Sequence, residues 1–169
     1  MATPGAANPS GAEQATTPWS PRVTVAAVVE RDGRFLMVEE LIDGRRVWNQ
    51  PAGHLDPDES LQTAVVREAR EETGYRFVPE SLVGIYLWQL GDGPTFLRHA
   101  FAGRVEGEPS GTLDVEIVAV HWRTRAELAA PDAPLRSPLV LRCVDDFLAG
   151  RRYATDVLQT VGIPAESGR

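Results

Sequence analysis

The chain has 169 residues, of which 43% are hydrophobic and 24% charged, with a formal net charge of −7. That is enough apolar material for one substantial core and too little for a second full domain. Scattered arginines on an acidic chain argue against a nucleic-acid polymer as partner, the single cysteine excludes an internal disulfide, and no apolar run approaches the ~20 residues of a membrane span.

Residues 1–21, rich in Ala, Pro, Gly, Ser and Thr, lack the basic and apolar regions of a targeting peptide and read as a disordered tail, with Trp19 either docked on the domain or exposed. A cytoplasmic location is expected, with no membrane and no obligate protein partner. The domain itself is expected over 22–160, followed by a flexible tail at 161–169.

Val23–Val29 reads as a strand, Asp32-Gly33 as a turn, and Phe35–Glu39 as the second arm of a hairpin. A second turn at Asp43-Gly44 leads to Val47-Trp48, and Asn49-Gln50-Pro51-Ala52 then forms a loop. From Gly53 to Tyr75 the chain reads GHLDPDESLQTAVVREAREETGY. Asp56, with Pro57 and Glu59 behind it, predicts a capped helix start, and Asp58 is almost as good a cap. Leu61, Ala64, Val65 and Ala69 predict the buried stripe, and Gly74 the left-handed end. Strands are expected at Leu82–Leu90, Thr95–Val105 and Ile117–Trp122, a capping box at Thr124 and Glu127, and a longer helix capped by Ser137-Pro138. Packed together, these elements predict an α/β/α sandwich with a mixed β-sheet.

The polar face of the central helix carries the chemistry. Glu68, Glu71 and Glu72 share one turn, so their charges repel, and the spacing rule turns Arg67 and Arg70 away from their sequence neighbours. Three carboxylates with a nearby backbone carbonyl make a hard oxygen donor set of the kind that Mg²⁺ or Mn²⁺ prefers. A solvated charged face is the ordinary alternative.

The spacing of Gly53, Glu59 and the run Arg67-Glu68-Ala69-Arg70-Glu71-Glu72-Thr73-Gly74-Tyr75 resembles the signature of the Nudix hydrolases, with Ala69 in place of a larger aliphatic residue. Trp48–Leu55, Phe96-Leu97-Arg98 and Leu135–Val140 extend the likeness to the NudJ-type phosphatase branch. The resemblance implies the Nudix fold and a Mg²⁺-dependent phosphatase. Such an enzyme removes terminal phosphates from nucleoside tri- and diphosphates and from thiamine-pathway pyrophosphates. It further implies Glu71 and Glu72 as principal metal ligands, Glu68 as ligand or general base, the Ala52 carbonyl as a further metal oxygen, and Arg67 as the residue that orients a glutamate. Glu59 is either a structural partner of the site or the capping-box residue.

One more acid is expected from outside the helix, and Glu116 is favoured over Asp114. For substrate binding, Trp48 and Trp88 offer aromatic faces, Arg98 a bidentate phosphate contact, Gln50 a bond to a base edge, and His54 a phosphate contact. Core packing is the stronger expectation for Phe96. A Nudix pyrophosphatase of another branch and a non-catalytic nucleotide sensor are the alternative functions.

Overall fold

The structure is a computed structural model, and it describes residues 18–163. The chain runs β1 (Arg22–Arg31), β2 (Arg34–Ile42), β3 (Arg45–Asn49), β4 (Ala52–His54), α1 (Leu61–Thr73), β5 (Arg76–Gln89), β6 (Thr95–Glu106), β7 (Ile117–Thr124), α2 (Arg125–Leu128) and α3 (Pro138–Leu148), with a 3₁₀ turn at Thr155–Val157. The expected tails lie outside the described residues up to residue 17 and from residue 164. Trp19 is described and is 73% exposed.

The sheet path is β3-β2-β1-β6-β5, with β4 joined to β1 and β7 to β2. β1 and β6 are parallel from Arg22↔Phe96 to Val29↔Gly103, and the other pairings are antiparallel, so the sheet is mixed as expected. Because successive strand residues face opposite sides, one strand can feed two cores. Val25, Ala27 and Val29 of β1 and Phe101 of β6 join Ala64, Val65 and Ala69 of α1. Val28, Ala100 and Ala102 face the other way, onto Val140, Cys143 and Val144 of α3 and Leu128 of α2. The helices therefore lie on both faces of the sheet.

The hairpin turns fall where the Asp-Gly pairs stand, with positive φ at Asp32 (52°) and Gly33 (75°). Two boundaries differ most from expectation, while β2 runs on to Ile42 and β4 forms at the end of the expected loop. β5 begins at Arg76 rather than Leu82: Pro79 sits inside it because β5 is an edge strand and its register with β6 shifts between Pro79 and Ser81. α1 begins at Leu61, capped by Ser60, whose Oγ accepts from the Thr63 amide at 3.0 Å. Asp56 and Asp58 do not cap it, and Asp58 has φ 64°. The helix ends at Gly74 (φ 73°), whose amide donates to the Arg70 carbonyl.

Candidate active site

A cleft of about 300 Å³ opens between the polar face of α1 and the opposite wall formed by β2, β6 and the start of α3. Its near side carries Ala52, Gly53, His54, Glu68 and Glu72. Glycine at 53 is a steric requirement, since a Cβ there would overlap the Glu68 carboxyl group. β4 is held antiparallel on β1 (Val25↔Gly53), which seats that backbone directly under α1.

Arg67 organises the glutamates. Its Nε and Nη2 donate to the two Glu59 oxygens at 3.0 and 2.6 Å, its Nη1 to Glu68 at 2.8 Å and Glu71 at 3.0 Å, and its Nη2 also to the His54 carbonyl at 3.0 Å. The expectation that Arg67 turns away from its neighbour is corrected here, because the long side chain folds across the turn and serves Glu68 and Glu71 together. Glu59 is not the third residue of the helix; it accepts from the Asp56 amide at 2.7 Å and anchors Arg67.

Glu72 stands apart from that group, its Oε2 accepting from the Ala52 amide at 2.8 Å. Burial, reinforced by Glu40, Glu68 and Asp114, pushes it up to about 9, against the pull of the Ala52 amide. Burial also raises Glu68 above the usual carboxylate range, although Arg67 pulls it back. Among the described residues no three such side chains already converge at metal-binding distance. Arg67 draws Glu68 and Glu71 one way, and the Ala52 amide holds Glu72 another. The donors nonetheless fit a hard divalent cation: all are oxygens, burial and then the neighbouring carboxylates oppose ionisation of Glu72, and the buried Glu40 Oε1 has no partner among the described residues.

The other expected site residues divide. His54, Trp88, Arg98 and Glu116 line the cleft, and so does Asp114, so both candidate acids before β7 reach it. Phe96 is there as well rather than in the core, stacked on Trp88 with centroids 5.6 Å apart. Glu71 is tied to Arg67 with its side chain 42% exposed. Gln50 and Trp48 are elsewhere. Gln50 is fully buried and donates to the Val140 carbonyl at 2.7 Å, fastening α3 rather than facing a ligand. The Trp48 ring lies beneath the Arg123 guanidinium, 4.4 Å away, and beside His121, away from the cleft.

Glu40 was not expected. It lines the cleft from β2, is 7% exposed, and pairs through Oε2 with Arg136 at 3.3 Å. Its signal is the Glu39-Glu40 pair inside an apolar strand: alternation sends one acid to each face, and the register with β7 shifts between them. Arg136 and Ser137 also line the cleft. Ser137 holds the N-cap position of α3 but makes no side-chain capping bond, contrary to expectation.

The NUDIX domain profile matches residues 20–143. The chain is 38% identical over 151 residues to Phosphatase NudJ of Escherichia coli K12, covering 89% of this chain and 98% of that protein. A NUDIX hydrolase from Nitrosomonas europaea superimposes with a TM-score of 0.80 at 47% identity, covering 83% of this chain and 97% of that one. The ORF135 protein of E. coli gives 0.60 at 30% identity, over 77% and 90% of the two chains.

Proposed function

The chain belongs to the Nudix family of hydrolases acting on phosphoric anhydrides, and on that footing we propose that it is a phosphatase that takes terminal phosphates, one at a time, from nucleoside tri- and diphosphates and from thiamine-pathway pyrophosphates. The observation that carries the reading is the buried pair Glu68 and Glu72 on α1, facing a cleft with aromatic and arginine walls. The likeness to Phosphatase NudJ over almost that protein's whole length supports the phosphatase branch.

Enzymes of this family generally use divalent metal ions. Glu68, Glu71, Glu72, Glu116 and the Ala52 carbonyl would hold Mg²⁺, or Mn²⁺ in its place. The bound ion supplies charge neutralisation for the phosphate oxygens. Glu68 takes the proton of the attacking water, a role that its buried, raised carboxyl supports. The water oxygen attacks the terminal phosphorus, the bond to the bridging oxygen breaks, and orthophosphate leaves. Arg67 keeps Glu68 and Glu71 oriented through its bonds to both. Trp88 and Phe96 stack on the ring of the organic group, and His54 and Arg98 contact the phosphate chain. A cytoplasmic location belongs to the same reading: no helix among the described residues is long and apolar enough to cross a membrane, and the single cysteine is a buried free thiol.

The test is resolution of products over time with dNTPs, hydroxymethylpyrimidine diphosphate, thiamine diphosphate and ADP-ribose, with and without Mg²⁺. Stepwise orthophosphate from several substrates is expected. Pyrophosphate release, or cleavage of ADP-ribose alone, overturns the phosphatase reading.

A further inference from the structure

The wall of the cleft opposite α1 has unusual chemistry. Seven buried side-chain polar atoms have no hydrogen-bond partner among the described residues, and besides the cation-seeking Glu40 Oε1, three of them, Thr24 Oγ1, Arg98 Nε and Ser137 Oγ, belong to residues lining this one cleft. Buried polar groups are ordinarily satisfied, so a concentration of orphans in a concave site marks the place of a ligand.

Arg98 is the sharpest case. It is 8% exposed, forms no ion pair among the described residues, and has one side-chain hydrogen bond, from Nη1 to Asn49 Oδ1 at 3.4 Å. A guanidinium buried without a counter-charge is costly unless an anion completes it. Arg136 reaches the same wall, with Glu40 as its carboxylate partner at 3.3 Å, whereas Glu40 and Glu72 act on Arg98 only through space, neither within ion-pair distance. Ser137 sits at the N-terminus of α3, 7% exposed, its hydroxyl unused as a cap, and the following residue of the first turn, Leu139, also lines the cleft. Pro138 has no N–H and the Val140 amide donates to the Ser137 carbonyl at 3.2 Å, so this helix end offers an oxyanion the Leu139 amide and the positive end of the helix dipole. The arginine side chains and the hydroxyl thus point to the same kind of ligand as the helix end.

We propose that Arg98, Arg136, Ser137 and the first turn of α3 form a phosphate-monoester subsite for the phosphate that the substrate retains. Occupied in that way, this wall presents the next phosphate outward along the chain to the α1 carboxylates, which explains cleavage at the terminal position. The assignment rests on the phosphatase reading for its biological meaning. The oxyanion site itself does not, because no metal and no turnover enter into it.

The experiment is therefore run on the full chain in EDTA. Inorganic phosphate and adenosine 5′-monophosphate are titrated by ³¹P NMR and calorimetry into wild type, Arg136→Gln, Ser137→Ala and Arg98→Gln. Wild type is expected to bind both probes, Arg136→Gln to bind them about tenfold more weakly, and Ser137→Ala several-fold more weakly. Arg98→Gln is expected to lose binding; if it does not fold, the other two variants decide. Unchanged affinity in Arg136→Gln and Ser137→Ala, or no binding by wild type, overturns the subsite. Binding of inorganic phosphate with exclusion of the monophosphate also overturns it, since the wall would then receive the released phosphate. Because product identity is measured separately, failure of the phosphatase reading and failure of the subsite are distinguishable.

Discussion

At the residue scale, the site depends on one side chain that is missing and one that reaches unusually far. Gly53 leaves the volume that the Glu68 carboxyl group occupies, and Arg67 bridges Glu59, Glu68 and Glu71. Gly53→Ala therefore displaces Glu68 without disturbing either core. An atom-scale misplacement of a reacting group costs about a hundredfold in rate, so Gly53→Ala is expected to lose about that much in kcat while its unfolding midpoint moves little. A kcat within twofold of wild type would show that the seating of Glu68 against residue 53 is irrelevant to turnover. The glycine's role is invisible in its own chain neighbourhood, because the atom that forbids a side chain comes from fifteen positions further on.

At the scale of the element, α1 and α3 are fixed by different means. α1 is capped locally by Ser60 and Gly74 and packs Ala64, Val65 and Ala69 on the sheet. α3 packs through Val140, Cys143 and Val144, and is also fastened by the buried bond from Gln50 to the Val140 carbonyl, across 90 residues of sequence. Gln50→Ala removes that second bond to the carbonyl, which keeps its helical donor, and loss of one buried hydrogen bond costs about 1 kcal/mol. The expected result in urea denaturation is a loss of that size at unchanged slope, and a loss below about 0.5 kcal/mol would mean that α3 does not need the link. The helix start went unread for a related reason. Asp56, Pro57 and Glu59 have good capping chemistry, but Arg67 claims Glu59 and the chain turns once more at Asp58 before the helix begins.

For the whole molecule, the carboxylates pull stability in opposite directions with pH. Glu39, lowered by bonds from His121 and Arg46, is more acidic folded than unfolded. So are Glu59 and Asp146, where burial opposes ionisation but bonds from Arg67, and from Arg142 and Tyr86, outweigh it. These groups contribute stability above their unfolded values and lose it as pH falls through the folded ones. Glu72 does the reverse: raised from 4.5 to about 9, its contribution is complete below 4.5 and is lost as pH rises toward 9. The metal-free protein is thus expected to be most stable near roughly pH 5. Excess Mg²⁺, which competes with the Glu72 proton, is expected to move that optimum upward. Thermal unfolding in EDTA and in Mg²⁺ across pH 4–9 checks this, and EDTA stability that climbs steadily to pH 9 would show Glu72 ionised without a cation.

The alternation of Val25 to Val29, the Asp-Gly turns, the box Gly53–Tyr75 and the Thr124 capping box are short-range signals, and they determined most of the elements, the sandwich and the helix that carries the glutamates. Residues separated by fewer than about five positions feel each other through backbone sterics and hydrogen bonds, so their meaning survives in the bare sequence. Tertiary structure alone decided that Gln50 serves the core and Trp48 another face, that Phe96 joins Trp88 at the cleft, and that Glu40 meets Arg136. Those outcomes depend on which strands become neighbours and on which side of each strand the cleft opens, and both are fixed only when the sheet and its helices pack.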